Sequence, residues 1–374
     1  MTPKQVPKNV ISAWQKAVIE LSRLSAKDKQ DPDRSAVLRK LVRIEKASLM
    51  RLREAFTSER EELTYKLLSS KENLIAYLLG FHLSNSYRLL KTLERVEQRW
   101  QWSALSNTPA ASLSIWDLGC GSGALSQLLT EKLAPAFASQ RVYLYDTNSL
   151  LLSASKMIFE NLALPNLRVF PRKVGLQDLN TNPHVFPDEV VVIGLGYVWN
   201  ELIKNRKAQQ KVHDLLRHFL EQEAQVMLIL QEPAQDFASR AAMTFRDEVV
   251  KQGFIPLYPC PHHQACPMLQ RDKDWCYSEF ATDGMPHDAR FVDEFLEIER
   301  TLIAGSSYVF ASPKLHTRMN PHPERKPVVV GRPQHKDTPG FSYLLCNPDA
   351  QLSKLERAVI AGRGDVKWRG DESS

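Results

Sequence analysis

The run Asp117-Leu118-Gly119-Cys120-Gly121-Ser122-Gly123 ends a short apolar strand, Leu113 to Leu118, and precedes a helical stretch, Ala124 to Leu133. A strand that passes through glycines into a helix is a nucleotide-binding turn. Glycine tolerates positive φ and carries no Cβ to hold a ligand away from the backbone. The helix start offers unpaired N–H groups that suit a carboxylate or a phosphate. The second strand, Arg141 to Tyr145, leads into Asp146, an acid placed to accept hydrogen bonds from both hydroxyls of a ribose. Asp117, Gly119, Gly121, Gly123 and Asp146 are therefore the candidate cofactor-binding residues. Taken alone, such a turn also fits dinucleotide enzymes and purely structural turns.

A second constellation is made of thiols. Cys260, Cys266 and Cys276 lie in Cys-Pro-His-His-Gln-Ala-Cys-Pro-Met followed by Asp-Trp-Cys-Tyr, and Cys346 stands far downstream. The fifth cysteine, Cys120, belongs to the glycine turn. Four thiols are what an iron–sulfur cluster or a closed zinc site requires. Their separations of 5, 9 and 69 residues do not form the paired short hairpins of a zinc finger. Proline after Cys260 and after Cys266 restricts the chain at both positions. His262 and His263 are alternative ligands that keep zinc open, and unrelated buried thiols are the plainer alternative. An odd cysteine count with no apolar signal core argues against a disulfide framework and makes a reducing compartment the default.

A third group follows the fourth strand: Gly196-Tyr197-Val198-Trp199-Asn200-Glu201-Leu202. Asn200 and Tyr197 are candidate catalytic residues, suited to contact the edge of a nucleobase or to stack on it. Alternatively, Tyr197 and Trp199 pack the helix that follows.

These groups need a scaffold. Up to about Asn107 the chain reads as helical, with apolar residues at three- and four-residue spacing over Ala47 to Tyr65 and Asn73 to Arg99. From Ser112, strands alternate with helices. Strands are expected over Leu167 to Val174, Val190 to Gly194, Gln225 to Leu230 and Ser307 to Ala311, and helices over Leu150 to Leu162, Arg206 to Glu221 and Ala238 to Gln252. Such alternation predicts a mostly parallel sheet covered by helices. The fold class is α/β, a Rossmann-like core with an N-terminal helical domain and a small β-rich C-terminal extension. The expected boundaries are 1–108, 109–312 with a cysteine-rich insertion at about 258–280, and 313–374, where Val328 to Val330 and Ser342 to Leu345 read as strands.

A formal charge of +6 on 374 residues suits a polyanionic partner without demanding one. Arg39, Lys40, Arg43 and Lys46 are the basic N-terminal candidates for meeting nucleic acid. No stretch reaches the roughly 18 apolar residues of a membrane helix, so no membrane partner is expected. Amphipathic character over Val10 to Leu24 gives weak support to a mitochondrial presequence.

The turn Asp-x-Gly-x-Gly-x-Gly resembles motif I of class I S-adenosylmethionine (SAM) methyltransferases. The stretch after the third strand, Arg172-Lys173-Val174-Gly175, departs from that class, which often places an Asp near the adenine; here Asp178 comes slightly later. The glycine turn, Tyr197-Val-Trp-Asn-Glu-Leu202, Gln231-Glu232-Pro233, the Cys-Pro…Cys-Pro…Trp-Cys run and Leu344-Leu-Cys-Asn-Pro-Asp349 together resemble the Rsm22 family over roughly Tyr77 to Trp368. The basic end, Arg363 to Arg369, is similar to that family's as well. The resemblance implies SAM as cofactor and a 4Fe–4S cluster on Cys260, Cys266, Cys276 and Cys346, with zinc the alternative metal. It also implies small-subunit ribosomal RNA, or the pre-ribosomal small subunit, as partner. It leaves open whether the protein methylates RNA or acts as a non-catalytic assembly factor. A small-molecule methyltransferase fits the basic extensions less well. The implied compartment is a bacterial-type cytoplasm or the mitochondrial matrix.

Overall fold

The computed structural model describes residues 5–57, 68–101, 112–133, 136–186, 188–321, 327–335 and 341–356. The chain divides into two compact units whose segments interleave. One holds 1–90, 112–176 and 282–301, and the other holds 91–111, 177–281 and 302–374.

In the first unit, helices α1 (Lys8–Leu21), α2 (Arg34–Ile44), α3 (Lys46–Thr57), α4 (Lys71–Tyr77) and the first part of α5 (Leu83–Arg99) precede three strands. A π-helical turn, Leu78–His82, joins α4 to α5. Helix α1 buries Val10, Ala13, Trp14, Ala17 and Val18, and Trp14 Nε1 donates to Leu78 O at 3.0 Å. The amphipathic stretch expected over Val10 to Leu24 thus lies largely on α1, with its apolar face buried. Strands β1 (Ser112–Leu118), β2 (Ser139–Asp146) and β3 (Leu167–Lys173) are parallel, in the order β3-β2-β1. Helices α6 (Ala124–Leu133) and α7 (Ser149–Leu162) follow β1 and β2. The Asn148 side chain caps α7, accepting from Leu150 N and Leu151 N at 2.9 and 3.2 Å. The unit also holds a helix at His287–Phe295, an addition to the expected set, which buries Ala289 and Val292.

In the second unit, β4 (Val190–Gly196) and β5 (Gln225–Glu232) are parallel, and β5 is buried along its whole length. Helices α8 (Arg206–Glu221) and α9 (Asp236–Gln252) flank β5 in sequence, and α9 stops at Gly253, whose φ of 112° only glycine adopts readily. Strand β6 (Ile255–Tyr258), the short β7 (Ser278–Ala281) and β8 (Leu302–Ala311) complete the core, in the order β4-β5-β8-β6 with β7 also paired to β8. Strand β8 is antiparallel to β5, β6 and β7. It is longer than the expected Ser307 to Ala311, and β6 and β7 are additions to the expected set. The C-terminal extension is a three-stranded antiparallel sheet: β9 (Val328–His335), β10 (Phe341–Cys346) and β11 (Leu352–Glu356). The far end of the helix expected over Ala47 to Tyr65, and the basic segment Arg363 to Arg369, lie outside the described residues.

Ser312 closes β8. Its hydroxyl donates to Ala224 O at 2.7 Å and accepts from Val226 N at 3.0 Å, in a position only 1% exposed. Ser312→Ala leaves both backbone groups buried without a partner. It should lower stability by about 2 kcal/mol, read as a fall in the urea midpoint at unchanged m-value. An unchanged midpoint would show that water replaces the hydroxyl.

Candidate functional site

All three glycines of the turn have positive φ: 74° at Gly119, 52° at Gly121 and 73° at Gly123. Gly119 N and Cys120 N both donate to Tyr145 O, at 2.8 and 2.9 Å, so the end of β2 shapes the turn. A Cβ on Gly123 would sit 2.2 Å from Ser155 Oγ on α7. Packing within the protein, as much as ligand approach, therefore demands glycine there. A Cβ on Gly121 would meet the Tyr77 hydroxyl at 3.2 Å. Tyr77 thus stands over the turn, a neighbour for which its sequence position gives no signal. His82, at the end of the π-helical turn, reaches Ser122 Oγ through Nδ1 at 2.9 Å, and burial pushes its pKa down to about 3.

Asp117 is buried, and its Oδ2 accepts from Ser126 Oγ at 2.6 Å and from Ser126 N at 3.3 Å. It fastens the first turn of α6 to the end of β1, with its carboxylate held inside the core. Asp146 accepts from Gly121 N through Oδ2 and from Asn148 N through Oδ1, each at 2.8 Å. Burial raises its pKa and these N–H groups oppose the rise. Asp178 lies in a 3-10 turn, exposed, 3.4 Å from Lys207 Nζ.

In the second unit Tyr197 has a φ of 62°, and its N–H donates to Gln231 O at 2.6 Å. Trp199 N donates to Glu232 Oε1 at 2.8 Å. Trp199 is buried against Phe245 of α9 and His213 of α8, at ring-centroid distances of 4.2 and 5.6 Å. It is a packing residue. Asn200 Oδ1, Gln231 Nε2 and Glu232 Oε2 are buried atoms with no hydrogen-bond partner among the described residues. Glu232, which in the sequence stands only within Gln231-Glu232-Pro233, holds the segment that carries Tyr197 and Asn200.

The four thiols Cys260, Cys266, Cys276 and Cys346 also lie in this second unit, and every pair of them interacts electrostatically. Burial pushes the Cys276, Cys266 and Cys346 thiols up, and their neighbouring sulfurs add to the rise. Cys346, the last residue of β10, has its Sγ 3.3 Å from His262 Nε2. Arg246 of α9 is fully buried and donates through Nε to Cys260 Sγ at 3.3 Å and through Nη2 to His262 O at 2.7 Å. Asp247 accepts from Cys266 N at 3.0 and 3.1 Å. Arg240 ties the rest of the insertion to α9 by donating to Arg271 O, Asp274 O and Leu269 O. Among the described residues no three His, Cys, Asp or Glu side chains stand in finished metal-binding geometry. The donor types are those of a soft metal: the buried thiols Cys266, Cys276 and Cys346, the half-buried Cys260, His262 beside Cys346 and the Arg246 cation beside Cys260. Cys120 takes no part; its thiol is buried in the glycine turn, 3.6 Å from Gly121 O.

Of the basic N-terminal candidates, Lys40 pairs with Asp28 at 2.8 Å, Arg39 lies 3.8 Å from Asp33, and Lys46 sits over the Phe295 ring at 5.3 Å.

The parallel strands with their glycine turn and acidic tip, and the antiparallel β8 inserted before β6, define a class I SAM-methyltransferase fold. A family model described as mitochondrial small ribosomal subunit Rsm22 matches residues 81–364, and the chain belongs to that family. Similar solved structures include a Listeria monocytogenes protein described as a class I SAM-dependent methyltransferase, at 13% identity over 85% of this chain and 91% of that one, with a TM-score of 0.38. Another is magnesium protoporphyrin IX methyltransferase from Synechocystis, at 12% identity over 71% and 97%, with a TM-score of 0.32. A third is an rRNA methylase from Streptococcus thermophilus, at 9% identity over 56% and 93%, with a TM-score of 0.31. No curated protein matches the chain.

Burial raises the pKa of Asp117 from 3.8 to about 7. The folded protein then keeps a proton that the unfolded chain has released. Its contribution to stability is complete below pH 4 and is lost as the pH climbs from about 4 to about 7. Asp117→Asn should flatten this part of the curve of urea midpoint against pH. The difference should amount to a few kcal/mol across the window. Parallel curves for the two proteins would mean that Asp117 titrates normally.

Proposed function

We infer that this protein binds SAM and carries a 4Fe–4S cluster, and that it acts on or with the small ribosomal subunit as a methyltransferase-like factor. The observation that carries the cofactor reading is the turn itself: three positive-φ glycines beneath Asp146, whose carboxylate already organises Gly121 N. The backbone of Gly119 to Gly123 would hold the methionine part of SAM and Asp146 the ribose. When bound, SAM supplies an electrophilic methyl group on sulfur. Asp117 supports the site from behind, through α6.

Cys260 and Cys266 anchored on α9 and Cys346 beside His262 support a cluster held by Cys260, Cys266, Cys276 and Cys346, with zinc as the alternative occupant. The Arg246 guanidinium would offset the charge of the thiolates. The membership in the small-subunit family supports ribosomal RNA, or the pre-ribosomal small subunit, as partner. Its compartment is that of the ribosome it serves, a bacterial-type cytoplasm or the mitochondrial matrix. The proposed organisation is a helical part at 1–108, the methyltransferase-like part at 109–312 and the β-rich extension at 313–374.

One observation favours a non-catalytic assembly factor as a second reading. The segment from Tyr197 to Asn200 is held from inside by Gln231, Glu232 and the buried Trp199, and Asn200 Oδ1 is itself buried. Tyr197 and Asn200 remain the candidates for meeting a base if methyl transfer occurs.

Two tests separate these claims. In calorimetric titration the wild-type protein should bind SAM. Gly121→Val should abolish binding, because a branched side chain at φ 52° both strains the turn and meets Tyr77. Asp146→Ala should weaken it roughly tenfold or more through loss of charge-assisted bonds. No detectable SAM binding by the wild type would end the cofactor reading.

Anaerobically prepared wild type should contain about four iron and four sulfide per chain. Cys346→Ser should lose metal and expose residues after Pro313 to protease, because metal-binding energy is here folding energy. Cys120→Ser should keep its metal. Stoichiometric zinc without iron would replace the cluster by a structural zinc site, and full retention of metal in both Cys276→Ser and Cys346→Ser would refute the four-thiol site.

A further inference from the structure

Side chains on one face of β1, β2 and β3 form a grid of three rows. In-register neighbours are Ser114, Arg141 and Arg168; then Trp116, Tyr143 and Phe170; then Leu118, Tyr145 and Arg172. The middle row is a continuous aromatic stack. Trp116 and Tyr143 lie 4.9 Å apart between ring centroids, and Tyr143 and Phe170 lie 5.0 Å apart at an interplanar angle of 17°. Trp116 is buried, Tyr143 and Phe170 are half-buried, and Arg168 and Arg172 are exposed. The stack therefore runs outward to Phe170, on a strand whose one partner among the described residues is β2.

Three features of this face point outward. Arginines bracket Phe170 two residues before and two residues after it, each about 6.6 Å away along the strand. No Asp or Glu occupies any of the nine grid positions. On the opposite face, Val142 and Leu144 are buried and Val169 lines a cavity with Lys156, Phe159 and Glu160 of α7. The connection after β3 contains no α-helix among the described residues, only the 3-10 turn Leu176–Asp178. Toward β1 and β2 this face is occupied, since Ser114, Trp116 and Arg141 have further partners; its accessible part is the β3 end, with Arg168 and Arg172 exposed and Phe170 half-buried.

We propose that this face is a docking surface for single-stranded RNA, with a base extending the aromatic stack at Phe170 and the flanking phosphates neutralised by Arg168 and Arg172. Aromatic stacking with flanking cations is how single strands are held without reading their sequence. The proposal rests on the ribosomal RNA reading above and names the surface that serves it. Pro171 and Lys173 also lie on β3, and both protect an edge strand from pairing with another sheet. Edge protection alone accounts for those two residues, but it does not call for an aromatic stack bracketed by arginines.

The test is fluorescence anisotropy with the full-length protein and a labelled 12-nucleotide oligoadenylate at several salt concentrations. Arg168→Glu/Arg172→Glu should weaken binding at least tenfold. It should also reduce the slope of log affinity against log salt by about 1.4, the value for two phosphates of a single strand. Phe170→Leu keeps the packing and the charge; it should cost at least about fivefold with no change in slope. Near-ultraviolet circular dichroism should show all variants folded. Wild-type binding left intact in both variants would overturn the platform and leave RNA to another surface. Equal affinity for a duplex of the same length would overturn the stacking role. Displacement by polyglutamate as potent as displacement by RNA would mark the face as a site for an acidic protein instead. No RNA binding by the wild type would overturn the RNA reading and this proposal together.

Discussion

The guanidinium of Arg246 has no solvent exposure, and a charge placed there requires complete satisfaction. It is met by Asp247 on the same helix, by the carbonyls of His262 and Gln264, and by the sulfur of Cys260. Burial works against the charge, and Cys260 and Asp247 more than reverse it. The consequence is structural before it is chemical. A loop rich in proline and histidine, with little regular structure of its own, is drawn onto α9 at fixed points. Asp247 extends the hold by taking the N–H of Cys266. Arg240, two turns earlier on α9, takes three further carbonyls of the same insertion. The loop that carries three of the thiols is thus fixed to a single helix at points between Cys260 and Cys276. The fourth arrives with the β-rich extension, where the end of β10 brings Cys346 to His262.

The glycine turn depends on the same economy of buried charge. Asp117 and Asp146 lie on neighbouring strands; Asp117 accepts from Ser126 at the start of α6, and Asp146 accepts from Gly121 N in the turn and from Asn148 N before α7. Positive φ at three positions in five residues is costly for any residue other than glycine. The hydrogen bonds to Tyr145 O and to Asp146 hold the chain in that shape before any ligand arrives. A preformed turn spends less of its binding free energy on ordering the backbone.

Much of this arrangement can be read from the residues. The turn, its following helix Ala124–Leu133 and the acid at the tip of β2 are local features with strong periodicity and strong backbone requirements, and they fall where expected. Strand β5 is apolar on both faces, as a central strand must be. The parts that escaped depend on distant partners. Strand β6 carries Pro256 and spans only Ile255–Tyr258, too short for a period. Tyr77, the last residue of α4, stands beside Gly121 from 44 positions away, and the π-helical turn that follows it leaves no pattern in Leu-Leu-Gly-Phe-His. The basic N-terminal residues looked free because sequence does not display their partners, Asp28, Asp33 and the Phe295 ring. The aromatic stack across β1, β2 and β3 was likewise hidden, since its members lie in three separate segments and meet only through the register of the sheet.

Tyr197, a catalytic candidate, owes its position to the core. A φ of 62° in a tyrosine costs on the order of 1–3 kcal/mol. The compensation comes from below. Tyr197 N bonds Gln231 O, and the carboxylate of Glu232 accepts from Trp199 N and interacts with the N–H groups of Val198 and Asn200. Burial drives the pKa of Glu232 well up, and those same N–H groups pull it back. The carboxyl group therefore serves as an acceptor for successive backbone amides, the role a ligand plays at a helix N-terminus. Trp199, wedged against Phe245 and His213, prevents the segment from relaxing outward. The orientation of Asn200 is then set by groups that a substrate need not touch. A loss of activity on changing Glu232 would report the geometry of this segment, and only a change at Asn200 or Tyr197 that left the backbone in place would bear on contact with a base.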